Sequence, residues 1–334
     1  MFVLTEPLLI DTLCHIASHK PRDGSPPVQV HLLLDNRSDG DPETDDERNE
    51  LATLAKLHHH GINIRLHDND GTALLHMKSA VIDKNILITG TANWSSMAFH
   101  HNIEDVLIIR DTKIALAYHD RITSLAQKAR PYEPDGRDKP PKRIPRSQLQ
   151  AQNTSNLLQG RWHRQLEKNP LITPFPLPSQ ENITILFPHH QRYLPVLLEL
   201  FSNTKHTLTA AFFSLTHDTI RRAITERQDL PAITLLLDEV AFRNDLFCSR
   251  LQRIQEAGAE VHICMADGKK NSMHLKAAVF DEAILWRGSA NWSVNANERF
   301  LEDILIFRCQ TLAQHYLNQF EKIKNTLCKK YKFD

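Results

Sequence analysis

The sequence predicts an α/β protein made of two similar α/β/α sandwiches related by a pseudo-twofold axis. The main observation is a stretch that occurs twice, at residues 76–109 and 274–307, with 17 of 34 positions identical and no gap. The second observation is the alternation of strand and helix patterns, which is typical of a central sheet covered by helices. Because both copies are complete and in register, we expect the two halves to face each other across one site.

The second half carries the clearer secondary-structure pattern. Residues 232–238 form a nearly continuous apolar run, as expected for a strand that is covered on both faces. The helical spacing that follows stops at Gly258. In chain order we predict strands at 181–188, 206–216, 232–238 and 259–265, helices at 193–203, 217–228 and 243–258, a hairpin at 274–291 and a last helix from 310 to about 324.

The first half repeats this pattern from a later starting point. Its residues match the second half from about residue 212 onward, but nothing in it matches residues 181–203. We therefore predict a first repeat at 1–127 that lacks the N-terminal strand and helix, and a second repeat at 181–334. The segment between them, 128–180, is basic and rich in proline, which favours a semi-rigid linker.

Composition limits the class of protein. The 40 basic and 40 acidic residues cancel, so no overall charge attracts the chain to nucleic acid or to an anionic membrane. No apolar run reaches the ~20 residues that a transmembrane helix needs. The cysteines are odd in number and scattered, so we expect reduced, mostly buried thiols and neither a disulfide frame nor a zinc site. They are Cys14, Cys248, Cys264, Cys309 and Cys328.

The N-terminal residues give an expectation about location. They are apolar, but they have no leading basic residue and they include Glu6 and Asp11, which is a poor pattern for a signal peptide. As written, the chain is expected in the cytoplasm. A missing N-terminal segment could still have carried an export signal.

The repeated motif, H-x-K-x4-D-x6-G-[ST]-x-N, contains the residue types that can break a phosphodiester bond without a metal. Such a reaction needs a nucleophile, positive donors for the phosphate oxygens and an acid for the leaving oxygen. His76 and His274 can divide the first and last tasks, because one imidazole can be neutral while the other is protonated. Lys78 and Lys276 supply positive charge. Each copy contributes one histidine and one lysine, so the reaction would need both copies.

Hydroxyl and amide groups of the motif are candidate phosphate ligands. The side chains of Thr91 and Ser289 are expected to bind the substrate through their hydroxyl groups. The amides of Asn93 and Asn291 follow two residues later and are expected to take part in catalysis as further donors.

The carboxylates of the motif have two expected roles. Glu104 and Glu302 lie eleven residues after the motif asparagines and are candidates to orient a histidine through its ring N–H group. Asp83 and Asp281 lie on the opposite strand face from the histidines. We expect them to brace the hairpin turns or to bind backbone N–H groups.

The duplicated motif resembles that of the phospholipase D superfamily, the HKD phosphodiesterases. The Asn-Trp-Ser continuation and the downstream Glu-Asp pair are most similar to the short-repeat branch of Nuc-type endonucleases and cardiolipin hydrolases. The resemblance implies a phosphohistidine intermediate, a pseudo-twofold active site, no metal and no other cofactor. It also implies that His76 is the nucleophile and His274 the acid. Thr91 stands where serine is usual but keeps the hydroxyl group.

Several functions fit these residues. The leading hypothesis is a phospholipase D-type hydrolase of phospholipids, and the alternatives are a metal-independent Nuc-type endonuclease and a phosphatidyltransferase. The zero net charge favours lipid, while the Asn-Trp-Ser pattern favours nucleic acid. A non-catalytic phosphate-binding protein is a further alternative, against which the two intact motifs argue. We expect a phospholipid or nucleic-acid substrate, peripheral membrane contact, and an active site that requires no oligomer.

Overall fold

The computed structural model describes residues 3–21, 24–36, 45–68, 73–134, 178–179, 182–188, 192–226, 231–239, 245–265 and 272–331. Most of the predicted linker, from 135 to 177, lies outside these residues. No helix in the described part of the chain has both the length and the apolar character needed to span a bilayer.

The secondary structure alternates between strands and helices, and the predicted α/β class is confirmed. The first half contains α1 (Pro7–Ser18), β1 (His31–Asn36), α2 (Asp45–His59), β2 (Asn63–Asp68), β3 (Ser79–Ile82), β4 (Ile86–Gly90), α3 (Ser96–His100), β5 (Val106–Arg110), α4 (Thr112–Lys128) and β6 (Arg130–Pro131). The second half contains β7 (Ile183–Leu186), α5 (Leu194–Asn203), β8 (Thr207–Phe212), α6 (Asp218–Thr225), β9 (Ala232–Asp238), α7 (Asp245–Glu256), β10 (Glu260–Cys264), β11 (Lys276–Phe280), β12 (Ile284–Gly288), α8 (Val294–Glu298), β13 (Ile304–Arg308), α9 (Gln310–Leu327) and β14 (Cys328–Lys330).

The second half forms one mixed sheet of eight strands, in the order β14-β10-β9-β8-β11-β12-β13-β7. Strands β8, β9 and β10 run parallel, and α6 and α7 connect them as crossover helices. The apolar run at 232–238 forms β9, in which consecutive residues Leu235 and Leu236 are both buried, so both faces of the strand are covered and it lacks a polar face. Strand β14 was not predicted, because its three residues carry too short a pattern to be recognised.

The first half forms two three-stranded sheets, β1-β2-β6 and β3-β4-β5. Their strand order matches that of the second half except at two positions. Between β1 and β3, where the second half has β8, the described residues contain no strand, and the same is true beside β5, where the second half has β7. The sequence predicted no counterpart of β7 and α5. In the structure, β8 also has no counterpart strand among the described residues of the first half, and β6 lies inside the predicted linker.

The outer edge of β5 is therefore uncovered by described residues. Val106 and Ile108 are 52% and 39% exposed, whereas the equivalent Ile304 and Ile306 of β13 are at most 1% exposed because β7 pairs with β13 and α5 packs in the same apolar cluster. The difference shows how much apolar surface an edge strand and its helix remove from water.

The two halves share one hydrophobic core. A single cluster of buried side chains includes Leu87 and Tyr118 from the first half and Leu285 and Tyr316 from the second. The two tyrosines belong to α4 and α9, the last helix of each repeat. Burial of this shared apolar surface holds the halves together and fixes the site between them.

One cysteine prediction was wrong. Cys264 at the end of β10 and Cys328 at the start of β14 form a disulfide, although we expected reduced thiols. The sequence places them 64 residues apart, and only the antiparallel pairing of β10 with β14 brings them together. Cys14 and Cys309 are free thiols, and Cys248 lies where side chains are not described.

The uncovered edge of β5 leads to a testable prediction. Amides of β5 that do not bond to β4 should exchange with solvent about tenfold or more faster than the equivalent amides of β13, because local opening there exposes little additional surface. Hydrogen exchange followed by mass spectrometry or NMR measures this difference. Equal protection of β5 and β13 would mean that a segment outside the described residues covers β5.

Candidate functional site

Backbone hydrogen bonds join each motif histidine to the other half. His76 N donates to Leu301 O at 2.9 Å, and His274 N donates to Ile103 O at 2.9 Å. Strands β3 and β11 begin only after these residues. Each histidine therefore directly follows an isolated β-bridge residue, Leu75 or Met273, and does not lie within a strand as predicted. Each histidine is thereby held beside the segment that leads to a glutamate of the opposite half.

The side chains of the histidines and glutamates pair across the two halves. His76 Nδ1 lies 2.9 Å from both carboxylate oxygens of Glu302, and His274 Nδ1 lies 2.9 Å from Glu104. The predicted orientation of a histidine by a glutamate is thus present, but each partner comes from the other copy. Because Nδ1 faces the carboxylate in both rings, Nε2 is the ring nitrogen directed away from the glutamate.

Thr91 and Ser289 position the glutamates. Ser289 Oγ donates to Glu302 Oε2 at 2.5 Å, and Thr91 bonds the side chain of Glu104. Their hydroxyl oxygens also accept the backbone N–H groups of Asp303 and Asp105. Both hydroxyl groups, which we expected to bind substrate, are buried and bonded to the glutamates. Their hydrogen bonds therefore fix the carboxylates that hold the histidines.

The two lysines are buried in the same cluster. Lys276 Nζ donates to His274 O at 2.7 Å, and Lys78 Nζ donates to His76 O. Burial lowers the pKa of Lys78 to about 8 and that of Lys276 to about 7. Nearby carboxylates oppose this change, so both side chains remain able to carry a proton near neutral pH.

The histidines and glutamates have pKa values that reflect their mutual contacts. Burial lowers the pKa of His76, and it lowers that of His274 to about 4. Burial alone would raise the pKa of Glu302 and Glu104, but the adjacent histidine lowers each of them overall. The glutamates are therefore ionised. A bound phosphate would add negative charge and favour protonation of a histidine.

The motif aspartates lie in the hairpin turns, and the motif asparagines follow β4 and β12. Asp281 has a φ angle of 48° in the β11–β12 turn, and its carboxylate accepts three backbone N–H groups at residues 205–207, within 3.0 Å. Asp83 has a φ angle of 50° in the equivalent turn. The Oδ1 atoms of Asn93 and Asn291 are buried and have no hydrogen-bond partner among the described residues.

Two aspartates of the site, half-buried Asp105 and buried Asp303, were not identified from sequence. Asp105 and Asp303 follow the glutamates directly, and each accepts a hydrogen bond from a tyrosine of the other half: Tyr316 at 2.6 Å and Tyr118 at 2.9 Å. Both pairs are identical in the two repeats, and this identity was the available signal. Arg287, which also contacts Asp105, had no such signal because its equivalent is Thr89.

The motif glycines are explained by a close approach of two backbones. A Cβ atom on Gly90 would collide with Asp105 O, and one on Gly288 would collide with Asp303 O. Only glycine lets the end of each hairpin lie directly against the Glu-Asp segment. The close approach in turn lets Thr91 and Ser289 reach the glutamates.

The crossed pairs can be tested by histidine NMR. Glu302→Gln should lower the pKa of His76, because the charge of Glu302 opposes the effect of burial on that ring. Glu104→Gln should do the same to His274, which makes the two variants matched controls for each other. Titration of ring-labelled protein measures both values. If Glu302→Gln changed mainly His274, the crossed assignment would be wrong.

Comparison with known proteins places the chain in a family. The family described as cardiolipin synthase, PLD-like domain matches residues 1–126 and 197–324. The mitochondrial cardiolipin hydrolase of Mus musculus is 42% identical over 62 residues, which are 19% of this chain and 27% of the relative. The protein of the same name from Xenopus laevis is 32% identical over 98 residues, 29% of this chain and 42% of the relative. The chain thus spans less than half the length of these curated relatives.

A solved structure has the same fold over nearly the whole chain. Phosphatidylserine synthase from Haemophilus influenzae Rd KW20 superimposes with a TM-score of 0.62 at 16% identity, covering 91% of this chain and 75% of that chain. A likeness at this identity concerns the fold alone. Because the family match covers both halves and more than half of all residues, this chain belongs to the cardiolipin synthase, PLD-like domain family of the phospholipase D superfamily.

Proposed function

We propose that the protein is a phospholipase D-type phosphodiesterase that hydrolyses phospholipids through a phosphohistidine intermediate. The observation that carries this proposal is the pair of histidines held by crossed glutamates beside two buried lysines. In this arrangement each half lacks the carboxylate that orients its own histidine. The proposed reaction therefore belongs to the two halves together.

The residues divide the work of the reaction. One histidine, with its Nδ1 proton held by a glutamate, attacks phosphorus through Nε2, and the other histidine protonates the leaving oxygen. Lys78 and Lys276 hold the phosphate oxygens, and their burial strengthens that attraction because few water molecules screen the charges. A water molecule then hydrolyses the phosphohistidine, and the second histidine accepts its proton.

Phospholipid is the proposed substrate class, and peripheral contact with a membrane would accompany it. The family description names cardiolipin synthase, and the curated relatives are named for cardiolipin hydrolysis. The zero net charge supplies no general attraction to nucleic acid. Phosphatidyl transfer is the second candidate, because it uses the same intermediate and differs only in an alcohol replacing water. A nuclease reaction is the third.

Loss of either histidine should abolish turnover. His76→Ala and His274→Ala are each expected to reduce kcat/KM by about a thousandfold or more, because each removes the nucleophile or the acid. His119→Ala is a matched control on α4, where the ring contacts Asp120 at the surface. Circular dichroism checks the fold of all three variants. Activity above a tenth of wild type in either motif variant would contradict the shared site.

The substrate can be identified by a parallel assay. Phosphatidylcholine, cardiolipin and single-stranded DNA are incubated with the protein, and ethanol is added to detect transfer as phosphatidylethanol. We expect lipid hydrolysis that survives EDTA, since the two histidines and two lysines perform each step. Cleavage of DNA alone would favour the nuclease, and phosphatidylethanol would favour the transferase. Activity that EDTA removes and a divalent ion restores would contradict the mechanism.

A further inference from the structure

One difference between the two repeats changes the charge of the buried site. Thr89 on β4 and Arg287 on β12 occupy equivalent places in the repeat, and both are fully buried. The exchange places one permanently charged guanidinium group on one side of the axis and a neutral hydroxyl on the other. A buried charge without a symmetric partner changes the electrostatic potential unequally at the two histidines.

The guanidinium group pairs with one of the two aspartates that follow the glutamates. Arg287 Nε donates to Asp105 Oδ2 at 3.0 Å, and a terminal nitrogen lies 2.7 Å from Asp105 Oδ1. Asp303, the equivalent aspartate, receives only neutral donors: Thr89 Oγ1 at 2.6 Å and Tyr118 at 2.9 Å. Its other oxygen, Oδ1, is buried and has no hydrogen-bond partner among the described residues.

The two aspartates are next in sequence to the glutamates that bind the histidines. Asp105 follows Glu104, which holds His274, and Asp303 follows Glu302, which holds His76. Arg287 neutralises the negative charge of Asp105, on the side of His274. It neutralises the negative charge of Asp303, on the side of His76, to a smaller extent. Arg287 also interacts with Asp303, but more weakly than with Asp105.

Two further buried carboxylates, Asp35 and Asp238, have equivalent contacts in the two repeats. Asp35 accepts Leu75 N and Asp238 accepts Met273 N, at equivalent positions of the two repeats. Their effects on the two histidines are therefore similar. Arg287 is a buried charged group of the site that has no charged equivalent in the other repeat.

The remaining charged neighbours act in the same direction. Burial lowers the pKa of both histidines. For His76 the next largest influence is Glu302, which raises it, ahead of Lys78. For His274 it is Lys276, which lowers the pKa further, ahead of the hydrogen bond and the charge of Glu104, each of which raises it. Each histidine ring also has an aromatic neighbour, Phe213 at 5.0 Å from His274 and Phe300 at 5.9 Å from His76, so these rings do not distinguish the two sides.

Resting on the proposed phosphodiesterase function, we propose that Arg287 is a positioning residue that makes His274 the nucleophile and leaves the shared proton on His76. This reverses the roles that the family resemblance implied. The side with the neutralised aspartate holds the neutral imidazole, and the side with excess negative charge holds the imidazolium.

The chemical steps then have a fixed direction. The Nε2 lone pair of His274 forms a bond to phosphorus, the bond from phosphorus to the leaving oxygen breaks, and His76 gives its proton to that oxygen. In the second step water attacks phosphorus and gives a proton to His76, and the N–P bond breaks. Each histidine returns to its starting state.

An activated diester separates the two roles. With bis(p-nitrophenyl) phosphate the leaving group needs no acid, so His76→Ala should still release a burst of about one p-nitrophenolate per chain and retain a covalent adduct. His274→Ala should give neither. Intact-mass measurement at alkaline pH detects the adduct, since phosphohistidine is labile in acid. A burst in His274→Ala overturns the inference. The absence of a burst in both variants, when the wild-type enzyme is active, overturns it as well. A wild-type enzyme without turnover on any diester overturns the proposed function instead.

The effect of Arg287 has its own test. Arg287→Met should raise the pKa of His274, so that the acidic limb of the kcat/KM profile moves to higher pH. Arg287→Lys should restore it, and Thr89→Val is the matched control that leaves this limb in place. A purely structural role would lower activity equally at all pH values, and an unmoved limb in folded Arg287→Met contradicts the inference. If Arg287→Met does not fold, the burst comparison decides.

Discussion

The crossed hydrogen bonds between histidine and glutamate are the constraint on which the rest of the structure depends. A glutamate can reach the histidine of the other repeat only if two backbones meet at the pseudo-twofold axis. The motif glycines permit that approach, and the shared core of α4 and α9 maintains it. Desolvation of so many charged groups is costly, and it is tolerated because each charge has a partner. The folding energy of the two halves and the assembly of the site are therefore linked.

The sequence predicted the parts of the site but not their pairing. The repeat identified His76, Lys78, Glu104 and their equivalents, because the same residue types recur 198 positions later. Spacing within one copy cannot show that Glu302 serves His76, since that contact exists only between copies. The hydrogen bond of Thr91 to Glu104 was not predicted for a related reason: a hydroxyl in a motif has several possible partners, and only the fold shows which one it contacts.

The fold was predicted best where strands are long and apolar. The boundaries of β9 agree with the predicted run at 232–238, whereas short pieces such as β14 have no detectable period. The two repeats also differ more than their motifs suggest. The first half keeps its hairpin and its site residues, although no described strand occupies the place of β8 between β1 and β3. The core that it shares with the second half packs against these strands.

The disulfide between Cys264 and Cys328 acts on the site through a helix. Cys328 directly follows α9, so the bond tethers the carboxyl end of that helix to the sheet at β10. The same helix carries Tyr316, whose hydroxyl group donates a hydrogen bond to Asp105, the carboxylate that Arg287 also contacts. A covalent anchor at the edge of the molecule thus limits sliding of α9 along the sheet, and with it any drift of the carboxylate that lies behind His274.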